Sequence, residues 1–129
     1  MDKQAEREVV LVVDDNIGVR SAVKETLEKS GYTVYTAADG EQGFTCFESH
    51  RSSIALLLTD ITMPHMDGIE LARRVVDCQS RLPILFMSGG ADDRSNGFRV
   101  LCKPFTGDEL LDAVRGALDK TSASTSLAR

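Results

Sequence analysis

Five side chains in this sequence could do chemistry, and each sits at the end of a short apolar run. Asp14 and Asp15 follow VVLVV, Asp60 follows IALLLT, Ser88 ends PILFMS, and Lys103 follows FRVLC. An apolar run that stops on a carboxylate needs compensation, because an isolated ionised group resists transfer out of water. If the runs are parallel strands of one sheet, their carboxyl ends share one edge, and ligands of doubly wound sheets bind there. Three carboxylates, a hydroxyl and an ammonium then converge. Three ionised carboxylates crowd together only around a cation, and a hard oxygen donor set with room for water suits Mg²⁺ better than zinc. A phosphoryl group completes the set by supplying a further metal ligand, pairing with the charge of Lys103 and accepting a hydrogen bond from Ser88.

The elements that must hold these groups alternate between two periods. After Val9 to Val13, the residues Val19, Ala22, Val23, Thr26 and Leu27 recur three and four apart until Gly31 stops them, which predicts a strand and then an amphipathic helix. Thr33 to Ala37 is β-branched and aromatic, and Asp39 then caps a helix carrying Phe44 and Phe47 on one side. Ile54 to Asp60 is apolar at consecutive positions, as befits a strand covered on both faces. Asp67 caps GIELARRVV with Ile69, Ala72, Val75 and Val76 inward, and Leu110, Leu111, Val114 and Leu118 form the stripe of a final helix. Five such steps predict an α/β fold, a parallel sheet with helices on both faces. The readable domain is 9–120, preceded by an N-terminal extension, 1–8, and followed by a small polar stretch, 121–129, expected to be a disordered tail.

Composition excludes several classes. The 129 residues suit one domain, and 15 Lys and Arg against 20 Asp and Glu, with no basic cluster, leave no electrostatic footprint for direct nucleic-acid binding. No apolar run is long enough to cross a bilayer and the start MDKQAEREVV has no signal core, so no membrane insertion and a cytoplasmic location are expected. Cys46, Cys78 and Cys102 are odd in number and scattered, and each reads as a small buried or half-buried hydrophobe. His50 and His65 are not spaced as a metal pair and read as exposed loop residues. Phe44, Phe47, Phe86 and Met87 read as core.

Taken in order, the acidic pair Asp14–Asp15, TDITMPHMDG around Asp60, MSG around Ser88 and KPF from Lys103 to Phe105 resemble the receiver domain of two-component response regulators over Val9 to about Lys120. The MSGG wording also resembles receivers associated with hybrid sensor kinases. The resemblance implies a flavodoxin-like, doubly wound five-stranded sheet of order 2-1-3-4-5. It implies that a histidine kinase or histidine phosphotransfer protein hands a phosphoryl group from phosphohistidine to Asp60, as a switch or phosphorelay step read by a downstream protein target. It further implies that Asp15 and Asp60 bind Mg²⁺ directly, that Asp14 assists through water, and that the backbone carbonyl of Thr62 is another ligand. Lys103 and Ser88 then attend the phosphoryl group, and the bond before Pro104 is cis.

Two departures bear on switching. The position where receivers carry a Tyr or Phe is Val100, with Phe98 two residues earlier on the same face by strand period. Between Gly89 and Phe98 lie only GADDRSNG, Gly90 to Gly97, too short and too rich in Gly, Asn and Asp for the usual crossover helix. The fourth helix is therefore expected to be reduced or missing. A second class of function stays open: a receiver-shaped interaction module with weak or atypical phosphorylation switching. A phosphohydrolase or nucleotide enzyme is disfavoured by the lack of a glycine-rich phosphate loop. Plainer readings also stand beside each residue: Asp14–Asp15 as a turn and helix cap, Ser88 as a strand-to-loop residue, Lys103 as a solvated strand end.

Overall fold

A computed structural model describes residues 8–90 and 98–127. Its strands are β1 (Val9–Val13), β2 (Thr33–Ala37), β3 (Ile54–Asp60), β4 (Ile84–Ser88) and β5 (Arg99–Cys102). The helices among the described residues are α1 (Ile17–Lys29), α2 (Gly40–Ser49), α3 (Gly68–Cys78) and α4 (Gly107–Leu127). The sheet has the order β2-β1-β3-β4-β5, and every neighbouring pair is parallel. The chain leaves β1 toward one edge, to β2, and then returns to build β3, β4 and β5 on the other side. The order therefore reverses between β1 and β3, which opens the binding crevice at their carboxyl ends.

Alternation along the strands divides the interior in two. Leu11, Val13, Leu57, Ile84 and Phe86 face Phe47 of α2 and Leu71, Ala72 and Val75 of α3. Val10, Val12, Leu56, Leu58, Leu85 and Met87 face Val23 and Leu27 of α1 and Leu110, Val114 and Ala117 of α4. Both faces of the central strands are thus covered, which is why their sequences are apolar without a gap. Each fully buried Leu or Phe contributes about 1.5–3 kcal/mol of transfer free energy. Truncating Phe47, which is 0% exposed, would cost about 3–5 kcal/mol.

All four described helices start on side-chain caps. Asn16 accepts from the backbone of Val19, Asp39 from Gln42, Asp67 from Glu70 and Thr106 from Glu109. Each cap satisfies an N–H that the helix leaves unpaired, a contribution of about 0.5–2 kcal/mol.

Several expectations need correction. His50 is half-buried rather than exposed: it ends α2, and its ring stacks on Tyr35 with centroids 4.3 Å apart. An aromatic on the neighbouring strand edge offered it an apolar surface that spacing along the chain could not reveal. Cys78 and Cys102 are exposed, and only Cys46 is half-buried. Ala22 faces solvent while Val23 and Leu27 turn inward. The helix α4 continues through 121–127, where composition predicted a disordered tail. No Gly or Pro comes after Gly116, so nothing in that stretch terminates the helix. The shortened segment Gly90 to Gly97 lies outside the described residues except for Gly90.

Candidate functional site

Asp14 and Asp60 close β1 and β3 at the point where strand order reverses. Asp14 is 0% exposed and Asp60 is 7% exposed, whereas Asp15 faces solvent. One carboxylate oxygen from each of the three lies within 4.8 Å of the others. Into this group Lys103 reaches from the end of β5, its Nζ 3.1 Å from Asp14 Oδ2 and 3.4 Å from Asp60 Oδ2. One ammonium against three carboxylates leaves an excess of two negative charges. The Asp60 carboxyl is accordingly pushed above the usual carboxylate range, first by burial and then by the charge of Asp14, with Lys103 pulling it back and Asp15 adding a further push.

The backbone around these groups is tied down. Asp14 Oδ1 accepts from the Asn16 N–H at 2.9 Å, and the Asp14 carbonyl accepts from Arg20 Nη1 at 2.7 Å. The Lys103 N–H donates to the Ser88 carbonyl at 2.8 Å, which holds the ends of β4 and β5 together, and the Lys103–Pro104 bond is cis. Because Asn16 caps α1, the acidic pair is free of the plain capping role that Asp residues often fill. Asp14 does hold the turn that precedes the helix.

Ser88 is brought to the same edge but is turned into its own loop. Its Oγ donates to the Gly90 carbonyl at 2.6 Å and accepts from the Gly90 N–H at 3.2 Å. Thr62 is exposed two residues past Asp60. Val100 is half-buried against the α2/α3 core, and Phe98, 42% exposed, packs edge-on against Phe86 with centroids 5.9 Å apart.

Sequence reasoning treated Gly68 only as the residue after a cap, yet it sets how closely α3 approaches the site. Its N–H donates to the Ile61 carbonyl at 2.8 Å, and a Cβ there would fall on the Asp60 carbonyl oxygen. The signal was present as the Asp-Gly pair at the helix start, but close backbone approach is a property of the tertiary fold.

The fold is a doubly wound α/β sheet with an acidic carboxyl edge, and no glycine-rich loop of the dinucleotide-binding kind comes after β1. The chain belongs to the response regulator receiver domain family, whose profile matches residues 10–115. It is 34% identical over 121 residues to the transcriptional regulatory protein CseB of Streptomyces avermitilis, a match covering 88% of this chain and 50% of that protein. It is 34% identical over 117 residues to the C4-dicarboxylate transport transcriptional regulatory protein DctD of Pseudomonas aeruginosa, covering 85% of this chain and 25% of that one. The chain thus spans half or less of the length of these relatives. Among solved structures it is similar to the chemotaxis protein CheY4 of Vibrio cholerae, with a TM-score of 0.81, 30% identity and coverage of 87% and 99% of the two chains. It is also similar to the receiver domain of the hybrid histidine kinase CckA, with a TM-score of 0.76, 33% identity and coverage of 85% and 98%.

Proposed function

We propose that this domain accepts a phosphoryl group on Asp60 from the phosphohistidine of a partner kinase or phosphotransfer protein, in a Mg²⁺-dependent reaction that serves a signalling switch or relay in the cytoplasm. The observation that carries the reading is the buried Asp60 carboxylate, set beside Asp14 and within 3.4 Å of the only ammonium in the described cluster, Lys103. A carboxylate oxygen of Asp60 attacks phosphorus. The bond formed is P–O, the bond broken is the P–N bond of phosphohistidine, and its electron pair returns to the imidazole. The protein contributes positioning and charge neutralisation rather than acid–base chemistry.

The donor set fits the metal. Its atoms are hard carboxylate oxygens, and the two negative charges left after Lys103 match a divalent ion. Asp15 and Asp60 would hold Mg²⁺ directly, Asp14 through water, and the Thr62 carbonyl would add a ligand. When bound, the ion offsets the charge of the carboxylates and of the incoming phosphoryl oxygens. Lys103 keeps one cationic contact on Asp60 throughout. Ser88 must release the Gly90 carbonyl before its hydroxyl can donate to a phosphoryl oxygen, so its loop is the part of the chain nearest the change.

A second reading rests on Val100, which lacks the aromatic ring expected to move inward with Ser88. In that reading the domain is an interaction module whose phosphorylation drives little change of shape. The test of the main reading is intact-mass measurement after incubation with Mg²⁺ and a small acyl-phosphate donor. The wild-type chain should gain one phosphoryl group and Asp60→Asn none. A full adduct on the variant would remove Asp60 from this role.

A further inference from the structure

Four polar side chains are buried among the described residues: Asp14, Thr59, Asp60 and Ser88. Three already belong to the site. Thr59 does not, although it is 0% exposed and sits in the central strand between Val13 of β1 and Phe86 of β4. Strand alternation puts it on the face of Leu57, in the apolar α2/α3 compartment. Valine has the same shape as threonine and would fill that place without burying a hydroxyl. A buried hydroxyl is unfavourable unless bonded.

The hydroxyl is bonded to the neighbouring residue of the site. Thr59 Oγ1 donates to the carbonyl oxygen of Asp60 at 3.0 Å, inside the core. The other side of the same peptide unit is also held, because the Ile61 N–H donates to the Met87 carbonyl at 3.0 Å. Gly68 packs against that Asp60 carbonyl from α3, at a distance that admits no side chain. The Asp60–Ile61 peptide is thus fixed at both edges and from one face. Its plane sets the backbone torsion at Asp60 and the path of the chain to the Thr62 carbonyl.

We infer that Thr59 is a positioning residue: through its bond to the Asp60 carbonyl it fixes the direction of the Asp60 carboxylate and the placement of the Thr62 carbonyl. This rests on the phosphoacceptor reading for its rate consequence but not for its geometric one. Small errors of placement cost large factors when a reaction is driven by positioning.

The experiment compares wild type, Thr59→Val and Thr59→Ser by melting temperature in chelator, by Mg²⁺ affinity from backbone amide shifts, and by phosphorylation rate with a small acyl-phosphate donor. Thr59→Val should melt near wild type yet bind Mg²⁺ more weakly and phosphorylate about tenfold or more slowly. Thr59→Ser, which keeps the hydroxyl, should stay close to wild type in both. Wild-type rate and Mg²⁺ affinity in Thr59→Val overturn the inference. So does a loss in both variants that merely tracks a fall in melting temperature. If the wild-type chain takes no phosphoryl group, the phosphoacceptor reading fails, and Mg²⁺ affinity alone decides this one: no difference between wild type and Thr59→Val, or no binding to either, overturns it.

Discussion

Replacing Asp60 with asparagine preserves the shape of the side chain and removes its charge, and in metal-free protein the geometry sets the sign of the stability change. The charge of Asp60 is repelled by Asp14 and Asp15 and attracted by Lys103. At the 4.8 Å bound on oxygen separations and an effective dielectric of about 20, each repulsion is about 3.5 kcal/mol, whereas the attraction at 3.4 Å is about 5 kcal/mol. Asp15 is exposed, so solvent removes much of its share. The pairwise terms then nearly cancel, and the burial of Asp60 tips the balance against its charged form. Asparagine should therefore stabilise the metal-free fold by about 1–2 kcal/mol, which for a domain of this length raises the melting temperature by about 3–8 °C.

The pH dependence has its sign from the same cause. The folded-state pKa of Asp60 is raised, so its contribution is fully present below the unfolded value of about 3.9 and is lost as pH rises through the folded value. The advantage of Asp60→Asn should then be complete at pH 7 and shrink as the pH approaches 4. Thermal melts monitored by circular dichroism in chelator at several pH values measure it. A variant that melts at or below wild type at pH 7 would show that Lys103 outweighs burial and like-charge crowding, and would refute the reasoning.

Three further outcomes are expected. Lys103→Met should destabilise metal-free protein by about 2–3 kcal/mol in urea denaturation, because the wholly buried Asp14 carboxylate loses its partner; an unchanged midpoint would contradict that ion pair. Gly68→Ala should cost about 1–3 kcal/mol in the same assay, since the added methyl meets backbone that cannot move aside; wild-type stability would mean that α3 yields freely. Amide NMR shifts on forming a beryllofluoride adduct should concentrate at Asp60 and Ser88 to Gly90, the loop held by the Ser88 hydroxyl, and should be small along Phe98 to Val100 and α4; the reverse pattern would show coupling to the far elements without an aromatic at Val100.

The sheet and its acidic edge were legible because parallel strands buried on both faces leave unbroken apolar runs, and the polar residues that end those of β1, β3 and β4 mark the carboxyl edge. The caps at Asp39 and Asp67 were legible for a similarly local reason: a short acceptor side chain stands immediately before a helical period. Features that depend on distant partners were not legible. His50 stacks on a tyrosine from another element, and Gly68 is dictated by a carbonyl eight positions earlier. Ser88 was read as a hydrogen-bond donor to a phosphoryl group, but its present partner, Gly90, is set by loop geometry that residue types do not encode. The polar end of α4 was not legible because its small polar residues carry no core-facing stripe, which is the signal by which sequence marks a helix.

The sheet that carries the site is also a partition. Leu27 and Val114 lie on one side of it and Phe47 and Val75 on the other, with no side chain shared between the two clusters. Damage to one compartment therefore reaches the other through the strand backbone that separates them. A truncation at Leu27 combined with one at Val75 should cost the sum of the two separately, whereas two truncations within one compartment should interact. Variation in the α1/α4 layer and in the α2/α3 layer can accordingly be inherited as two independent characters, provided that the strand ends where the compartments meet stay as they are.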